Sequence, residues 1–301
     1  MPKICYQDKN FRADKLSLID KINSIIDDYT EQGYSLTLRQ TYYQLVARGI
    51  IPNNERSYKN TGNLINDARL AGLIDWNAIV DRTRNLKQLP HWDSPQQIIK
   101  SACHQYRKNM WENQEYYIEV WVEKEALSDV VGQACNEYDV PFFSCRGYVS
   151  QSEMWSAAQR FIRYQYEGKY CVLLHLGDHD PSGIDMSRDI EERLALFGVD
   201  MDAFLFKRIA LNMEQIEEFS PPPNPAKLTD SRCGSYISKY GDESWELDAL
   251  EPRVITQLIH DHVTIYLDER KYAKVKEQVE KEKEVMRDIS NDWEELYNRY
   301  I

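Results

Sequence analysis

Long apolar runs are missing from this chain of 301 residues. A membrane-spanning helix needs about 20 consecutive apolar residues, whereas the apolar runs here are no longer than a β-strand. The first residues, Met-Pro-Lys-Ile-Cys-Tyr-Gln-Asp, also lack the apolar centre of a secretory signal peptide. These absences predict a cytoplasmic protein that does not enter a membrane.

The cysteines lack the spacings that indicate a zinc site or a disulfide framework. They occur at positions 5, 103, 135, 145, 171 and 233, with no Cys-x-x-Cys pair among them. Neither type of cross-link is therefore supported, and the sequence predicts reduced thiols, which suits the cytoplasm.

A surplus of positive charge is also missing, since the net charge is −12. The charge is nevertheless uneven: residues 1–110 carry 16 Lys and Arg against 11 Asp and Glu, which leaves −17 for residues 111–301. A basic segment suits phosphate and an acidic one suits metal ions. An uneven solvated surface would give the same numbers, so charge alone does not decide.

The basic third is predicted to be helical. Apolar residues recur with helical spacing over 15–29, and further helices are predicted over 37–48, 56–70 and 96–111. Helix, short turn and basic helix is the layout of a helix-turn-helix, although many helical hairpins share it. The predicted DNA contacts are the basic residues of the third helix and of the wing-like or extended segment after it: Arg56, Lys59, Arg69, Arg82, Arg84 and Lys87.

Two residues of the second helix are candidates for chemistry. The apolar face of this helix consists of Leu38, Tyr42, Leu45 and Val46. Arg39 and Tyr43 lie one turn apart on a neighbouring, more polar face. The pattern therefore predicts that Tyr42 packs in the core and that the Tyr43 hydroxyl is available. A tyrosine that merely flanks a core would show the same spacing.

From about residue 112, short apolar runs alternate with helical segments. Strands are predicted over 116–122, 141–145, 170–176 and 204–209, and helices over 126–138, 152–166, 183–197 and 213–219. This alternation is typical of a parallel sheet with helices on both faces. The fold class predicted is α/β, with a mainly helical N-terminal domain over 1–111, a parallel-sheet domain over 112–267 and a C-terminal amphipathic helix over 268–301.

Carboxylates follow two of the predicted strands. Glu123 ends the first, and Asp178 and Asp180 lie where the third becomes a helix. Parallel strands share one carboxyl edge, so these residues and the Arg146-Gly-Tyr148 turn are expected to converge there. Hard oxygen ligands of this kind favour Mg²⁺ or Mn²⁺. The alternative is a helix-capping Asp beside a surface Asp.

Two later features leave alternatives open. Glu246 and Asp248 are either further acidic site residues or ordinary surface charges. The C-terminal segment has apolar residues at heptad spacing, including Tyr272, Val279 and Met286, which suits a dimer interface. Terminal amphipathic helices also commonly pack back on their own domain.

Three motifs together resemble the topoisomerase VI A subunit and the meiotic double-strand-break transesterases. They are Leu38-Arg-Gln-Thr-Tyr-Tyr43, Val120-Trp-Val-Glu-Lys-Glu125 and Gly177-Asp-His-Asp-Pro-Ser-Gly183. The resemblance implies a winged-helix domain followed by a Toprim (topoisomerase–primase) domain. It implies Tyr43 as the nucleophile that attacks DNA, Arg39 as a phosphate contact, and Glu123 as a catalytic residue that binds Mg²⁺ together with Asp178 and Asp180.

The resemblance also implies double-stranded DNA as substrate and a homodimer in which tyrosine and acidic cluster meet across the two copies. The chain is short for the family and has no Gly-x-x-x-x-Gly-Lys-Ser/Thr loop, so ATP-driven strand passage would need a separate ATPase subunit. Two other functions stay open. One is a hydrolytic Toprim nuclease or nickase, and the other is a non-catalytic DNA-binding subunit of a larger complex.

Overall fold

The computed structural model describes residues 3–80, 89–226 and 229–299. Its helices are α1 (Ala13–Glu31), α2 (Leu38–Ala47), α3 (Glu55–Leu70), α4 (Pro95–Gln105), α5 (Ser128–Glu137), α6 (Gln151–Tyr166), α7 (Pro181–Leu196), α8 (Met213–Phe219), α9 (Cys233–Tyr240), α10 (Pro252–Thr264), α11 (Glu269–Asn291) and α12 (Trp293–Asn298). Its strands are β1 (Tyr116–Val122), β2 (Phe142–Ser144), β3 (Tyr170–Leu176), β4 (Phe204–Ala210), β5 (Asn224–Pro225) and β6 (Glu243–Ser244). The predicted α/β class is confirmed.

The main sheet has four parallel strands in the order β2-β1-β3-β4. At the end of β1, Val122 is in register with Ser144 of β2 and with Leu176 of β3. All the strands therefore end at the same edge, as the sequence predicted. The small antiparallel pair β5-β6 is linked to the chain just beyond this edge, because the backbones of His179 and Trp245 pair through two hydrogen bonds of 2.8 and 2.9 Å.

Both faces of the main sheet are covered, which explains why β1 and β3 read as continuous apolar runs. Alternate residues such as Val120 and Leu174 pack with α5 and α10. The residues between them, such as Trp121 and Leu173, pack on the other face with α6 and α7. The strands are thus held between two apolar layers, and their carboxyl ends occupy a fixed position.

The helices α1, α2 and α3 bury a separate apolar cluster that includes Ile22, Leu45 and Leu64. The start of α2 is fixed by a capping box, in which the Thr37 and Gln40 side chains each accept a hydrogen bond from the other residue's backbone. Asn54 caps α3 in the usual way, since its side chain accepts from the amide of Ser57 at 2.8 Å. The three predicted helices lie within two residues of their expected ends.

The predicted helix over 96–111 ends earlier than expected. The helix α4 stops at Gln105, and Tyr106 has an extended backbone conformation. Trp111 instead lies in a turn capped by Asn109 and packs in the apolar cluster of the sheet, where its indole donates to the carbonyl of Tyr138 at 2.6 Å. Burial of this indole outweighs continuation of the helix.

The C-terminal segment packs back on its own chain, the second of the two alternatives. On α11, Val275 and Val279 are buried, and Cys103 of α4 approaches the carbonyl of Lys283 at 3.3 Å. Glu282 accepts from Lys108 at 2.7 Å and also from Tyr106. The homodimer stays a prediction of the resemblance.

Two further predictions concern the whole chain. None of the helices in the described part combines the length and apolar character of a membrane span. Residues Arg82, Arg84 and Lys87, with the wing-like segment predicted around them, lie outside the described residues. The predicted domain limits stay predictions.

Candidate functional site

The turn between β3 and α7 places two carboxylates at the sheet edge. Asp178 follows β3 directly, and Asp180 caps α7 by accepting from the Gly183 amide at 2.6 Å and from the Ser182 hydroxyl at 3.0 Å. A Cβ on Gly183 would lie 2.2 Å from the carbonyl oxygen of Asp178, so no other residue fits there without moving the turn. Asp180 is therefore a helix cap, as one alternative had it, and still lies at the predicted edge.

Glu123 joins this turn from the neighbouring strand. Its Oε2 accepts from the amide of Asp178 at 2.9 Å. On the other side, Arg208 of β4 donates to the carbonyls of Gly177 and Asp178 at 2.8 and 2.6 Å. The predicted convergence of Glu123 and Asp178 is confirmed, and Arg208 is a supporting residue that the sequence analysis missed.

Lys124 pairs with three carboxylates at this edge. Its ammonium lies 2.9 Å from Asp178 Oδ1 and 3.0 Å from Asp248 Oδ1, and it also pairs with Glu246. Asp248 is only 1% exposed, so it is not a surface charge. The sequence analysis left Glu246 and Asp248 undecided; the structure places both beside Asp178.

Arg39 extends this network to the N-terminal helices. Its guanidinium lies 2.5 Å from Glu246 Oε2 and 2.9 Å from Asp248 Oδ2. Burial disfavours the charged guanidinium, but Asp248 and Glu246 outweigh it and raise the pKa of Arg39.

Negative charge near the turn is incompletely compensated. Burial raises the pKa of Glu123, and the Asp180 carboxylate raises it further. Burial also raises the pKa of Asp178, with Lys124 opposing and Glu123 adding to the rise. Crowded, buried carboxylates of this kind are stabilised by a cation or by a shared proton.

The residues expected to bind metal have suitable oxygen atoms, but the described residues do not form a complete coordination site. One oxygen each of Glu123, Asp178 and Asp180 is hydrogen-bonded to the protein, and the second makes no hydrogen bond to any described residue. These free oxygens are the hard ligands that Mg²⁺ prefers. Across residues 3–80, 89–226 and 229–299, however, no group of three His, Cys, Asp or Glu side chains has metal-holding geometry. The donor set fits a divalent cation in kind, and metal binding stays a prediction.

Tyr43 is more buried than predicted. It is only 6% exposed and packs with Tyr42 and Ala249, although the sequence placed it on a more polar face. The face of α2 that carries Tyr43 packs against the 3₁₀ turn Leu247–Ala249. Helical spacing alone does not reveal this contact. Burial and Glu246 raise the pKa of Tyr43 to about 12, and Arg39 opposes this rise. The hydroxyl makes no hydrogen bond within the described residues.

A cavity of about 350 Å³ lies between α2, the start of α3 and the β5-β6 pair. Arg39, Tyr43, Asp180 and Glu246 all line it. Tyr43 and the acidic edge of the sheet therefore line one cavity within a single chain. The resemblance implied instead that they meet across a dimer. The prediction that Tyr42 is structural is confirmed, because its hydroxyl donates to Asn53 at 2.9 Å.

The predicted DNA contacts differ in their surroundings. Arg56 and Lys59 are exposed on α3, with Lys59 paired to Glu55 at 2.6 Å. Arg69 instead donates to the carbonyls of Trp76, at 3.1 Å, and of Ile79. Burial lowers its pKa, and its guanidinium lies over the Trp76 ring. Arg69 therefore holds the backbone that follows α3, and we do not retain it as a phosphate contact.

No protein-family model and no curated protein sequence matches the chain. The resemblance therefore depends on the three motifs. Of the residues missed, Lys124 had a signal: a lysine between two glutamates directly after a buried strand. Arg208, in the middle of a strand, had none.

Proposed function

We propose that this chain cleaves double-stranded DNA in a Mg²⁺-dependent reaction in which Tyr43 attacks the backbone. The observation that carries the proposal is the shared cavity, which brings Tyr43 and Arg39 of the basic helical part together with Asp180 of the acidic sheet edge. A phosphodiester bound there would contact a nucleophile, a guanidinium and the carboxylate turn at once. The resemblance to topoisomerase VI A supports the same assignment.

The reaction is a transesterification. The Tyr43 hydroxyl loses its proton and forms a bond to phosphorus, the bond from phosphorus to the 3′-oxygen breaks, and that oxygen gains a proton. The number of phosphoester bonds is unchanged, so neither ATP nor water is consumed. A phenol with a raised pKa is a weak nucleophile, and the role of Arg39 is to stabilise the phenolate and the phosphate.

Glu123, Asp178 and Asp180 would hold the metal ion through their unengaged oxygens. A cation bound there would supply positive charge to the phosphate and to the leaving 3′-oxygen. Lys124 keeps Asp178 oriented, since it pairs with the oxygen that also accepts from the amide of Leu247 at 2.8 Å. Arg208 fixes the backbone of the same turn.

Duplex DNA would reach the cavity along α3. Arg56 and Lys59 are exposed on this helix, and Glu55 and Tyr58 beside them line the cavity. Phosphate contacts of this type give affinity without sequence selectivity. The homodimer and the ATPase partner are separate proposals that depend on the resemblance alone.

The burial of Tyr43 favours a second candidate function, a hydrolytic nuclease or nickase. With a pKa of about 12, the phenol is almost entirely protonated at neutral pH. In this alternative, water attacks the phosphorus, the same carboxylates hold the metal, and Tyr43 only lines the cavity. A non-catalytic DNA-binding subunit would bind DNA through α3 and cut nothing.

Incubation with supercoiled plasmid and Mg²⁺ or Mn²⁺ separates these functions, with products resolved before and after protease digestion. A transesterase leaves protein covalently attached to DNA ends, and digestion changes the mobility of those products. A hydrolase gives free ends that protease does not alter. Intact plasmid under all conditions would leave only the non-catalytic function.

A further inference from the structure

The cavity beside Tyr43 is lined by aromatic and polar side chains that phosphate transfer does not require. Four aromatic side chains line it: Tyr42, Tyr43, Tyr58 and Trp245. Their rings are arranged at steep angles, with Tyr42 at 5.2 Å from Tyr58 and 5.3 Å from Tyr43 between centroids. Its volume of about 350 Å³ falls in the range of small-ligand pockets, ~300–1,000 Å³.

Some polar atoms of the cavity wall already have hydrogen-bond partners within the protein, and others do not. The Asn53 side chain already has partners, because its amide nitrogen donates to Asn224 at 2.8 Å and its oxygen accepts from Tyr42 at 2.9 Å. The side-chain amide nitrogens of Asn54 and Asn224 make no hydrogen bond to described residues, and neither does the second carboxylate oxygen of Asp180. The wall therefore offers the –NH2 groups of Asn54 and Asn224 as donors and Asp180 as an acceptor.

A phosphate at Arg39 would use the one cation among the described lining residues, so the remaining charges of the wall disfavour a second phosphate inside the cavity. Glu55, Asp180 and Glu246 contribute carboxylates, and Arg39, the cation among the described lining residues, is already paired with Glu246. A second anionic group would meet more negative than positive charge. A neutral, planar ligand avoids this repulsion. Donors and acceptors on its edge would match the polar groups of the wall.

We propose that this cavity binds the base of one unpaired nucleotide of the DNA, next to the phosphate at Arg39. The base stacks on Tyr58 at the partly exposed side of the pocket, and its edge contacts Asn54, Asn224 and Asp180. Aromatic stacking of this kind is common to single-strand binding and base-extruding proteins. The inference depends on the proposed function in taking DNA as the ligand, but not on cleavage.

The test is equilibrium binding by fluorescence anisotropy in EDTA, which prevents metal-dependent cutting. Two labelled duplexes are compared that differ in one central mismatch, because a mismatched base leaves the stack at lower cost. We expect the native chain to bind the mismatched duplex about tenfold more tightly, the size of one stacking contact. Free deoxyguanosine should reduce this preference, and 2-deoxyribose 5-phosphate should not.

Variants locate the effect. Tyr58→Ala should remove the preference for the mismatch, and Tyr58→Trp should keep it because a flat ring is retained. Asn224→Asp keeps the oxygen that Asn53 uses, exchanges the free donor for an acceptor, and should lower the preference without disturbing packing. Tyr166→Ala is the control, since this side chain on α6 is 89% exposed and far along the chain from the cavity.

Equal affinity for the two duplexes would overturn the inference, as would competition by deoxyribose phosphate equal to that by deoxyguanosine. Loss of affinity for both duplexes alike in Tyr58→Ala would also overturn it. The outcome is separable from that of the proposed function. Mismatch preference without plasmid cleavage would retain the base pocket and reject the nuclease, and cleavage without preference would do the reverse.

Discussion

Lys124 and Asp178 are side-chain partners across two neighbouring strands, with Nζ 2.9 Å from Oδ1. The lysine side chain is 16% exposed and that of the aspartate 9%, so the pair is largely shielded from water. Glu246 and Asp248 contact the same ammonium, and Arg39 joins them from α2. A single lysine therefore connects the carboxylate turn to the N-terminal helices.

Replacing Lys124 by Met should destabilise the protein by about 3 kcal/mol, because removing one partner of a buried pair leaves uncompensated charge. Urea unfolding measures this free energy. Lys59→Met is the matched control: Lys59 and Glu55 are 69% and 80% exposed, and the loss should stay within about 0.5 kcal/mol. Similar losses for the two variants would contradict a structural role for Lys124.

Replacing Asp178 or Asp180 by Asn should abolish Mg²⁺-dependent cleavage while leaving the fold intact. Asn removes a hard charged ligand but retains the shape of Asp, and it caps a helix equally well. Plasmid cleavage and thermal unfolding are measured together, with Glu192→Gln on the exposed side of α7 as control. Full cleavage by the double variant would show that these carboxylates bind no essential metal.

Replacing Arg56 and Lys59 by Gln should weaken duplex binding by the full chain and flatten its salt dependence. Each lost phosphate contact lowers the slope of log affinity against log salt by about one unit. Arg69→Gln should act differently and reduce stability, because its guanidinium holds two backbone carbonyls. An unchanged slope in the double variant would exclude α3 as the DNA-binding helix.

The contribution of His175 to stability should fall as the pH drops below about 6.5. Burial, assisted by Arg208, lowers the pKa of His175 to about 3. Between pH 3 and 6.5 the unfolded chain binds a proton that the folded chain does not, so acidification favours unfolding. Burial lowers the pKa of His179 to about 4, with the same sign.

Glu123 and Asp178 act in the opposite sense, since a raised carboxyl pKa makes the folded chain bind more protons. The informative measurement is therefore the difference between the native chain and His175→Gln in urea unfolding at pH 7.5, 6.5 and 5.5. The variant should lose less stability on acidification. Parallel curves would show that His175 is not held neutral.

Local pattern was sufficient to predict the four strands of the main sheet and most helices, because apolar spacing reports burial directly. It also predicted the convergence of Glu123 and Asp178, since parallel strands must end at a common edge. The sequence could not reveal that Asp248 is buried or that Arg39 reaches it. Those contacts join residues more than 200 positions apart, and no local period encodes them.

The same limit explains why the burial of Tyr43 was not predicted. Helical spacing distinguishes the face that packs on α1 and α3 from its neighbours, and Tyr43 was correctly placed beside that face. A second partner, the Leu247–Ala249 turn, covers the neighbouring face as well. A short helix with packing partners on two sides is buried on both, and a single hydrophobic stripe records only one of them.

Tyr43→Phe is the decisive substitution for the mechanism. It removes only the hydroxyl, which makes no hydrogen bond within the described residues, so stability should change by less than about 0.5 kcal/mol. Tyr42→Phe is the matched control. The Tyr42 hydroxyl donates to Asn53 at 2.9 Å and accepts from the Asn54 amide at 2.9 Å, so its loss should cost about 1 kcal/mol and leave the chemistry intact.

If Tyr43 is the nucleophile, Tyr43→Phe eliminates both plasmid cleavage and the protein that stays on DNA after denaturation. If water attacks instead, Tyr43→Phe retains metal-dependent cutting. Rising pH adds a second readout, because the phenolate fraction grows about tenfold per unit below the pKa of about 12. Adduct formation should follow that rise in the native chain. Adduct loss in Tyr42→Phe with retention in Tyr43→Phe would transfer the role of nucleophile to Tyr42.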